Sequence, residues 1–378
     1  MDRTRTYKVT AAQSGKRLDR VLRELMPDIS LGRIAKLVRK HRIRVNDGKS
    51  RHQQRLNEGD VITFTEAPLA EAWTKKGRAR AMSNKVAAVD ELSFTVLHED
   101  EHLLAVDKPA GLLVHGTLKE PDAPTLIDQV VAYLAQRQLE ESDDEEADER
   151  PLGEFVRPTP TFQPSLAHRI DRDTSGIVLI AKTLECLQEL TRAIKRRKLD
   201  KFYIGLVKGG LPNGDGEIDA PIARRDHAGK TAGRHKVDVV RGNADDGKRA
   251  LTRYKTLARR GTYSLVEFEL ITGRTHQIRA HLRHVGSALI GDDEYGDRAL
   301  NRHAREKLGL ARQFLHAARI RLNHPLSGTA LDIVAPLPKD LSDALIAAGF
   351  TKEDLPEALR QEFDTTTQAV GNGQKDGA

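Results

Sequence analysis

The chain has 378 residues and a formal net charge of +7, with 62 lysines and arginines against 55 aspartates and glutamates. That length allows two or three domains and a sizeable core without covalent staples. The single cysteine, Cys186, excludes an internal disulfide framework and a multi-thiolate metal site, and fits a reducing, cytoplasmic compartment. No apolar run is long enough to span a membrane and none near the N-terminus reads as a signal peptide, so no membrane partner is expected. Eight acids lie in one run between Glu140 and Glu149, so the rest of the chain is more basic than its net charge suggests. A basic chain with few aromatics and no amphipathic anchor favours a nucleic acid as partner.

Taking the elements in chain order, "GKRLDRVLREL" places Leu18, Val21, Leu22 and Leu25 at helical spacing, and Ser30 offers the N-cap of a second helix through Ile34, Leu37 and Val38. The strand "IRVNDG", turning at Asn46-Asp47-Gly48, and the strand "GDVITF" complete an ααββ unit over residues 12–66. The second helix carries Arg33, Lys36, Arg39 and Lys40, with Arg42 and Arg44 just beyond. Such a row is usually a solvated face. Here it continues into the next strand without interleaved acids, which favours contact with phosphates. The "RLDRVL" opening from Arg17 to Leu22 and the pattern Val45, Asn46, Gly59, Asp60 resemble the S4 RNA-binding domain, which adds Arg17 to the RNA-facing set. Leu31-Gly32 stand where that family often has Ser-Arg.

Residues 67–90 are basic without a sustained period and read as a linker, with Trp73 as a packing anchor. Residues 91–349 read as a large domain and 350–378 as a C-terminal tail. "HLLAVDKPAGLLVHG" predicts strand, turn and strand around Pro109 and Gly111, and "PTLIDQVVAYLAQ" an amphipathic helix with Leu126, Ile127, Val130, Val131 and Leu134 on one side. The acidic run and the Pro-rich stretch after it, residues 139–163, read as a solvated, disordered insert; a mimic of RNA guarding a basic groove is the less favoured alternative. Next, "LAHRIDRDTSGIVLIAKT" sets a polar cluster directly against the apolar run Ile177 to Ala181. A helix from Thr183 to about Lys198, the strand "KFYIGLVKG" and further strand-like runs follow. Strands dominate and helices are interspersed irregularly, which predicts an α+β fold on a mixed, mainly antiparallel sheet. The usual dinucleotide, nucleotide and zincin motifs are absent from the sequence, and neither cofactor nor metal is expected.

The polar cluster has two simpler readings. Asp171-Arg172-Asp173-Thr174-Ser175-Gly176 matches the first half of a calcium-binding EF-hand loop, but Lys182 stands where the twelfth-position glutamate is required. An isolated turn whose aspartates cap backbone amides would be the default. The whole block His168-Arg169-Ile170-Asp171-Arg172-Asp173-Thr174-Ser175-Gly176, however, resembles the HRLDxxTSG signature of the RluA family of pseudouridine synthases, with Ile170 for leucine. "DKPAGLLVHG" upstream and "KFYIGLVKG", "ITGRTHQIRAHL", "GDDEYG" and "LHAARIRLNHP" downstream extend the resemblance, and an S4 domain ahead of the catalytic domain is a usual family arrangement.

The resemblance implies a pseudouridine synthase fold and an isomerisation in which the uridine N1–C1′ bond breaks, the uracil turns over, and C5 bonds to the same sugar carbon. It gives Asp171 the role of the carboxylate acting at C1′, as in glycosyl chemistry. Arg279 is the expected cationic partner of Asp171, and Tyr203 is expected against the target uracil, stacking on it or relaying the C5 proton. Arg169 would fill the gap in the RNA stack left by the flipped nucleotide. His168, Arg274, His276 and Gln277 complete the expected substrate-binding set, with His168, Thr174 and Ser175 holding the loop. His276, His281 and His284 lack cysteines or an acid at ligand spacing and read as structural or RNA-facing groups. "HRIDRDTSG" and "DDEYGDR" look closest to the branch that modifies large-subunit (23S) ribosomal RNA, with transfer RNA as the other candidate. A monomer without an obligate protein partner is expected. Two other classes compete: an RNA-binding assembly factor without activity, which the joint presence of Asp171, Tyr203 and Arg279 disfavours, and an RNA glycosidase, which would release free uracil.

Overall fold

A computed structural model describes residues 5–25, 31–64, 92–116, 123–140, 162–224, 237–240, 247–360 and 363. The expected linker with Trp73, the N-cap Ser30 and most of the acidic insert lie outside the described residues, as does the end of the tail. The chain divides into an N-terminal unit and a larger unit that begins at Ala88.

In the N-terminal unit, strand β1 (Arg5–Lys8) precedes helices α1 (Leu18–Leu25) and α2 (Leu31–Arg39) and strands β2 (Ile43–Val45) and β3 (Val61–Phe64). The sheet order is β1-β3-β2, all antiparallel. Leu18, Val21 and Leu22 from α1 meet Ile34, Leu37 and Val38 from α2 and Ile43, Val45, Ile62 and Phe64 from the sheet in one core. The helical spacing therefore identified the buried faces correctly. β1 is the element that the sequence pattern does not announce, because "RTYK" has no apolar alternation and becomes a strand only by pairing with β3.

The larger unit is built on a ten-stranded sheet. Its strands and helices follow in the order β4 (Thr95–Glu99), β5 (Leu103–Lys108), α3 (Leu126–Glu140), β6 (Ser165–Leu166), β7 (Ser175–Ala181), α4 (Leu184–Lys195), β8 (Leu199–Lys208) and β9 (Asp215–Asp219). A small hairpin, β10 (Ile222–Arg224) with β11 (Val237–Val239), then leads to β12 (Leu251–Arg260), β13 (Tyr263–Leu270), α5 (Gln277–His284), α6 (Arg298–Leu308), β14 (Leu315–Asn323), β15 (Ala330–Val334) and α7 (Lys339–Ala347). The sheet runs β4-β5-β7-β14-β8-β13-β12-β9, with β15 also on β14 and β6 on β7. Among the described residues only the β7–β14 pairing is parallel, so the mixed, mainly antiparallel α+β expectation holds.

Every residue of β7 is buried, which is why its sequence is a continuous apolar run rather than an alternating one. Val178 and Ile180 face a core shared with Leu126, Val130 and Leu134 of α3, whereas Ile177, Leu179 and Ala181 face Cys186 and Leu190 of α4. Thr183 caps α4 by accepting from the Cys186 amide at 3.3 Å, and burial pushes the Cys186 thiol up to about 12, which leaves it an inert packing group. Gly176 has φ of +111°, and a Cβ there would lie 2.3 Å from the Ala317 carbonyl oxygen. Only glycine permits this close approach of β7 and β14. A further core cluster includes Phe350, Leu355, Leu359 and Phe363, so packed structure continues past the boundary expected at 349.

Candidate active site

The polar block ahead of β7 is a tied-down turn. The Thr174 amide donates to the Asp171 carbonyl at 3.2 Å, Gln313 donates to the Thr174 hydroxyl at 2.9 Å, and Ser175 bonds the His316 ring at 2.9 Å. Lys108 is fully buried and spends its ammonium on three carbonyls, those of Pro109 at 2.7 Å, Leu112 at 3.0 Å and Arg172 at 2.9 Å. The Gly111 amide donates to the same Arg172 carbonyl at 2.9 Å. The "DKPAG" turn thus serves as a clamp on the Asp171 loop. A rigid scaffold of this kind is what a precisely aimed carboxylate requires.

The strand order then assembles the site. β14 separates β7 from β8, so the loop carrying Asp171 lies one strand away from Tyr203, which pairs with Ala317 on one side and Phe268 on the other. α5 supplies Arg279. Its guanidinium, 6% exposed, donates from Nη1 to Asp171 Oδ2 at 3.0 Å. It also makes a bidentate pair with Asp292 at 2.7 and 2.8 Å and reaches Glu294 at 3.2 Å. Arg279 is therefore shared among three carboxylates. Asp292 is the most deeply buried of them and also accepts from the Glu294 and Tyr295 amides, each at 3.0 Å. Burial opposes the Arg279 charge, but the hydrogen bonds and field of Asp292, with Asp171 and Glu294 behind, hold it well above its ordinary value. Burial would likewise raise the Asp292 carboxyl, yet its bonds to Arg279 and the two amides hold it below the usual carboxylate range. Asp292 and Glu294 sit in the "GDDEYG" stretch, where acids inside a family motif were the only sequence signal for a paired role.

His276 stands just before α5 in the left-handed region, with φ of 51°. That is an uncommon conformation for a side chain with a Cβ, and such positions cluster at functional sites. Its Nδ1 is 3.0 Å from the Tyr295 hydroxyl, and its Nε2 lies 3.8 Å from Asp171 Oδ1. Tyr295 in turn carries Arg279 over its ring face, 4.8 Å from the centroid.

A cleft of about 240 Å³ is lined by all eight residues expected at the catalytic and substrate positions: His168, Arg169, Asp171, Tyr203, Arg274, His276, Gln277 and Arg279. Their roles differ by contact. Gln277, expected to bind substrate, has its amide fully engaged: it accepts from Thr272 at 2.7 Å and Arg274 at 3.0 Å and donates to Leu251 at 3.0 Å and Thr252 at 2.9 Å. It holds the loop before α5 and has no bonding capacity left for a ligand. His168 accepts the Leu179 amide at Nε2, and burial with the neighbouring Lys201 charge pushes it down to about 3, so its ring is a neutral structural group. Arg169 and Arg274 are exposed at the cleft. Burial, and then the Asp171 carboxylate, push the Tyr203 phenol well above its ordinary value, so it is a neutral phenol at physiological pH. His281 is buried against Thr252 and the Ala220 carbonyl, away from any ligand role. Among the described residues, no group of three or more His, Cys, Asp or Glu is arranged to hold a metal ion.

In the N-terminal unit, Arg39, Lys40, Arg42 and Arg44 are exposed. Arg17 donates from Nε to Asp19 at 3.0 Å, with its side chain still partly exposed. The side chains of Arg33 and Lys36 lie outside the described residues.

Residues 102–284 match the family model described as RNA pseudouridylate synthase. The ribosomal large subunit pseudouridine synthase C of Vibrio vulnificus is 34% identical over 330 residues, covering 87% of this chain and 91% of that protein. The protein of the same name from Escherichia coli K12 is 32% identical over 338 residues, covering 89% and 94%. A solved human structure, RNA Pseudouridylate Synthase Domain Containing 4, covers 72% of this chain and 97% of its own at 23% identity and a TM-score of 0.49.

Proposed function

The chain belongs to the RNA pseudouridylate synthase family, and from that premise we propose that it converts specific uridines of large-subunit ribosomal RNA to pseudouridine in the cytoplasm, with Asp171 acting at the ribose C1′ of a flipped nucleotide. The observation that carries this reading is the convergence of Asp171, Tyr203 and Arg279 from three separate chain segments on one cleft, with the Asp171 carboxylate 3.0 Å from the guanidinium.

In this mechanism Arg279 holds the Asp171 carboxylate in position through the 3.0 Å hydrogen bond from Nη1. The carboxylate forms a bond to C1′ as the N1–C1′ bond breaks, and releases it when C5 attacks. Tyr203 lies under the pyrimidine, and its neutral hydroxyl relays the C5 proton rather than starting as a phenolate base. Arg169, exposed at the cleft, takes the place of the extruded nucleotide in the RNA stack. The N-terminal unit acts as an S4-like RNA-binding domain through Arg39, Lys40, Arg42 and Arg44.

The purified protein incubated with large-subunit ribosomal RNA should produce pseudouridine at discrete positions, and the same positions should be unmodified in cells lacking it. Modification of transfer RNA alone would move the substrate class, and release of free uracil would make the enzyme a glycosidase. A second expected result concerns the N-terminal cations. Replacing Arg39, Lys40, Arg42 and Arg44 by glutamine should make the salt dependence of RNA binding shallower, by about 0.7–0.9 in log–log slope for each phosphate that is no longer neutralised. An unchanged slope would reduce this face to solvated charge.

A further inference from the structure

Lys201 is a group the mechanism above leaves unused. It lies on β8 two residues before Tyr203, so the two side chains leave the strand on the same face, about 7 Å apart at the usual rise per residue. The residue is 8% exposed and lines the cleft with Tyr203 and Asp171. Its Nζ has no hydrogen-bond or ion-pair partner among the described residues. Lys108 provides the contrast, since its fully buried ammonium has three carbonyl acceptors. An ammonium carries three donors, and with none of them met by a described residue they are open to a group that enters the cleft.

The surroundings narrow the ligand. The acids near the cleft are committed elsewhere, with Asp171, Asp292 and Glu294 all on Arg279. His168, which feels the Lys201 charge, is neutral. A Cβ placed on Gly273 would stand 3.4 Å from Nζ, so glycine leaves the space beside the ammonium clear. Exposed cations at the cleft, Arg169 and Arg274, are the ones placed for phosphates, whereas Lys201 stands on the inner wall beside the ring of Tyr203. Burial lowers its ammonium from the ordinary value.

We infer that Lys201 donates a hydrogen bond to a carbonyl oxygen of the target uracil and holds the negative charge that collects on the ring as it leaves C1′. The inference rests on the isomerisation proposed above. When the N1–C1′ bond breaks, its electron pair goes to N1 and spreads to O2 and O4, while the Asp171 carboxylate takes C1′. Lys201 stabilises that anion without giving up its proton. After the ring turns, C5 forms the new bond to C1′, Asp171 departs with its pair, and the proton lost from C5 is balanced by one gained at N1. Donors aimed at charge that exists mainly in the transition state act on the chemical step more than on binding.

The test uses the full chain in single-turnover assays at saturating RNA, with a large-subunit ribosomal RNA fragment carrying uridine or 5-fluorouridine at the target. Because 5-fluorouridine has no C5 proton to lose, both reactions are followed as loss of the N1-linked nucleotide, that is, as cleavage of the N1–C1′ bond. Lys201→Met should slow uridine conversion by about 10²–10³-fold, as loss of one such donor typically does, with RNA affinity and its salt slope unchanged. Fluorine withdraws electron density and stabilises the departing anion by itself, so the loss on 5-fluorouridine should be about tenfold smaller or less. Lys201→Arg, which keeps the charge and retains donors, should recover part of the uridine rate. Equal losses on both substrates would make Lys201 a structural residue, and weaker binding with a shallower salt slope at an unchanged rate would make it a phosphate contact. Either result overturns the inference. A wild-type protein that converts no uridine would instead overturn the underlying function, whatever Lys201 does.

Discussion

Asp171→Asn is expected to abolish uridine isomerisation, lowering the single-turnover rate by more than about 10³-fold, because loss of a covalent catalyst far exceeds the ~10²-fold cost of a weak acid–base group. The substitution is nearly isosteric, and the amide oxygen can still accept from Arg279 Nη1. RNA affinity should therefore stay within a few-fold of wild type. The amide lacks the charge needed to bond C1′ or to balance positive charge developing there. Single-turnover conversion and direct RNA binding, measured on the same preparation, separate the two effects. A variant retaining more than about a hundredth of the wild-type rate would pass the role to another group, since that is no more than a general acid–base contribution. Glu294 would be the first to examine, since it reaches the same guanidinium at 3.2 Å.

Arg279→Ala is expected to cost both activity and stability. The side chain holds three carboxylates, one of them in a fully buried residue. Removing one partner of a buried pair leaves an uncompensated charge and costs about 3–5 kcal/mol. The pH dependence carries the diagnosis. In the wild type, Asp292 sits below its unfolded value, so its contribution is complete at neutral pH and is lost as pH falls through and below the ordinary carboxylate range. Without Arg279, burial dominates and the folded value rises above the unfolded one. The variant should then gain stability as pH is lowered from neutral to mildly acidic, opposite to the wild-type trend at this site. Denaturant unfolding at both pH values reads this directly. Arg279→Lys keeps a charge but cannot span three carboxylates with a planar fork, so it should fall between the two, with the acidic limb of its single-turnover rate moved upward. A lysine variant with wild-type stability and an unmoved limb would remove Arg279 from the ion-pair role.

Much of the site was legible because its residues sit in tightly spaced motifs. The block from His168 to Gly176, the strand around Tyr203 and the stretch around Arg279 named three groups that meet in one cleft, although they come from distant parts of the chain. What the motifs could not supply was how each group spends its bonds. Gln277 lines the same cleft yet is wholly occupied by Thr272, Arg274, Leu251 and Thr252. Lys201 looks like one more surface lysine in a basic stretch, and its burial is visible only once α4, β8 and the loop before α5 are in place.

By itself, the sequence determined the local elements and their buried faces. The apolar spacing of Leu18, Val21 and Leu22, or of Leu126, Val130 and Leu134, records helical periodicity within a few residues, and the unbroken run from Ile177 to Ala181 records a strand covered on both sides. Tertiary structure alone decided that β14 inserts between β7 and β8, which places Asp171 one strand from Tyr203. It alone also decided that Arg279 is divided among Asp171, Asp292 and Glu294. Periodicity is a short-range property of the chain, whereas strand partners and charge partners are selected by the burial and desolvation of groups far apart in sequence, and those costs exist only in the assembled fold.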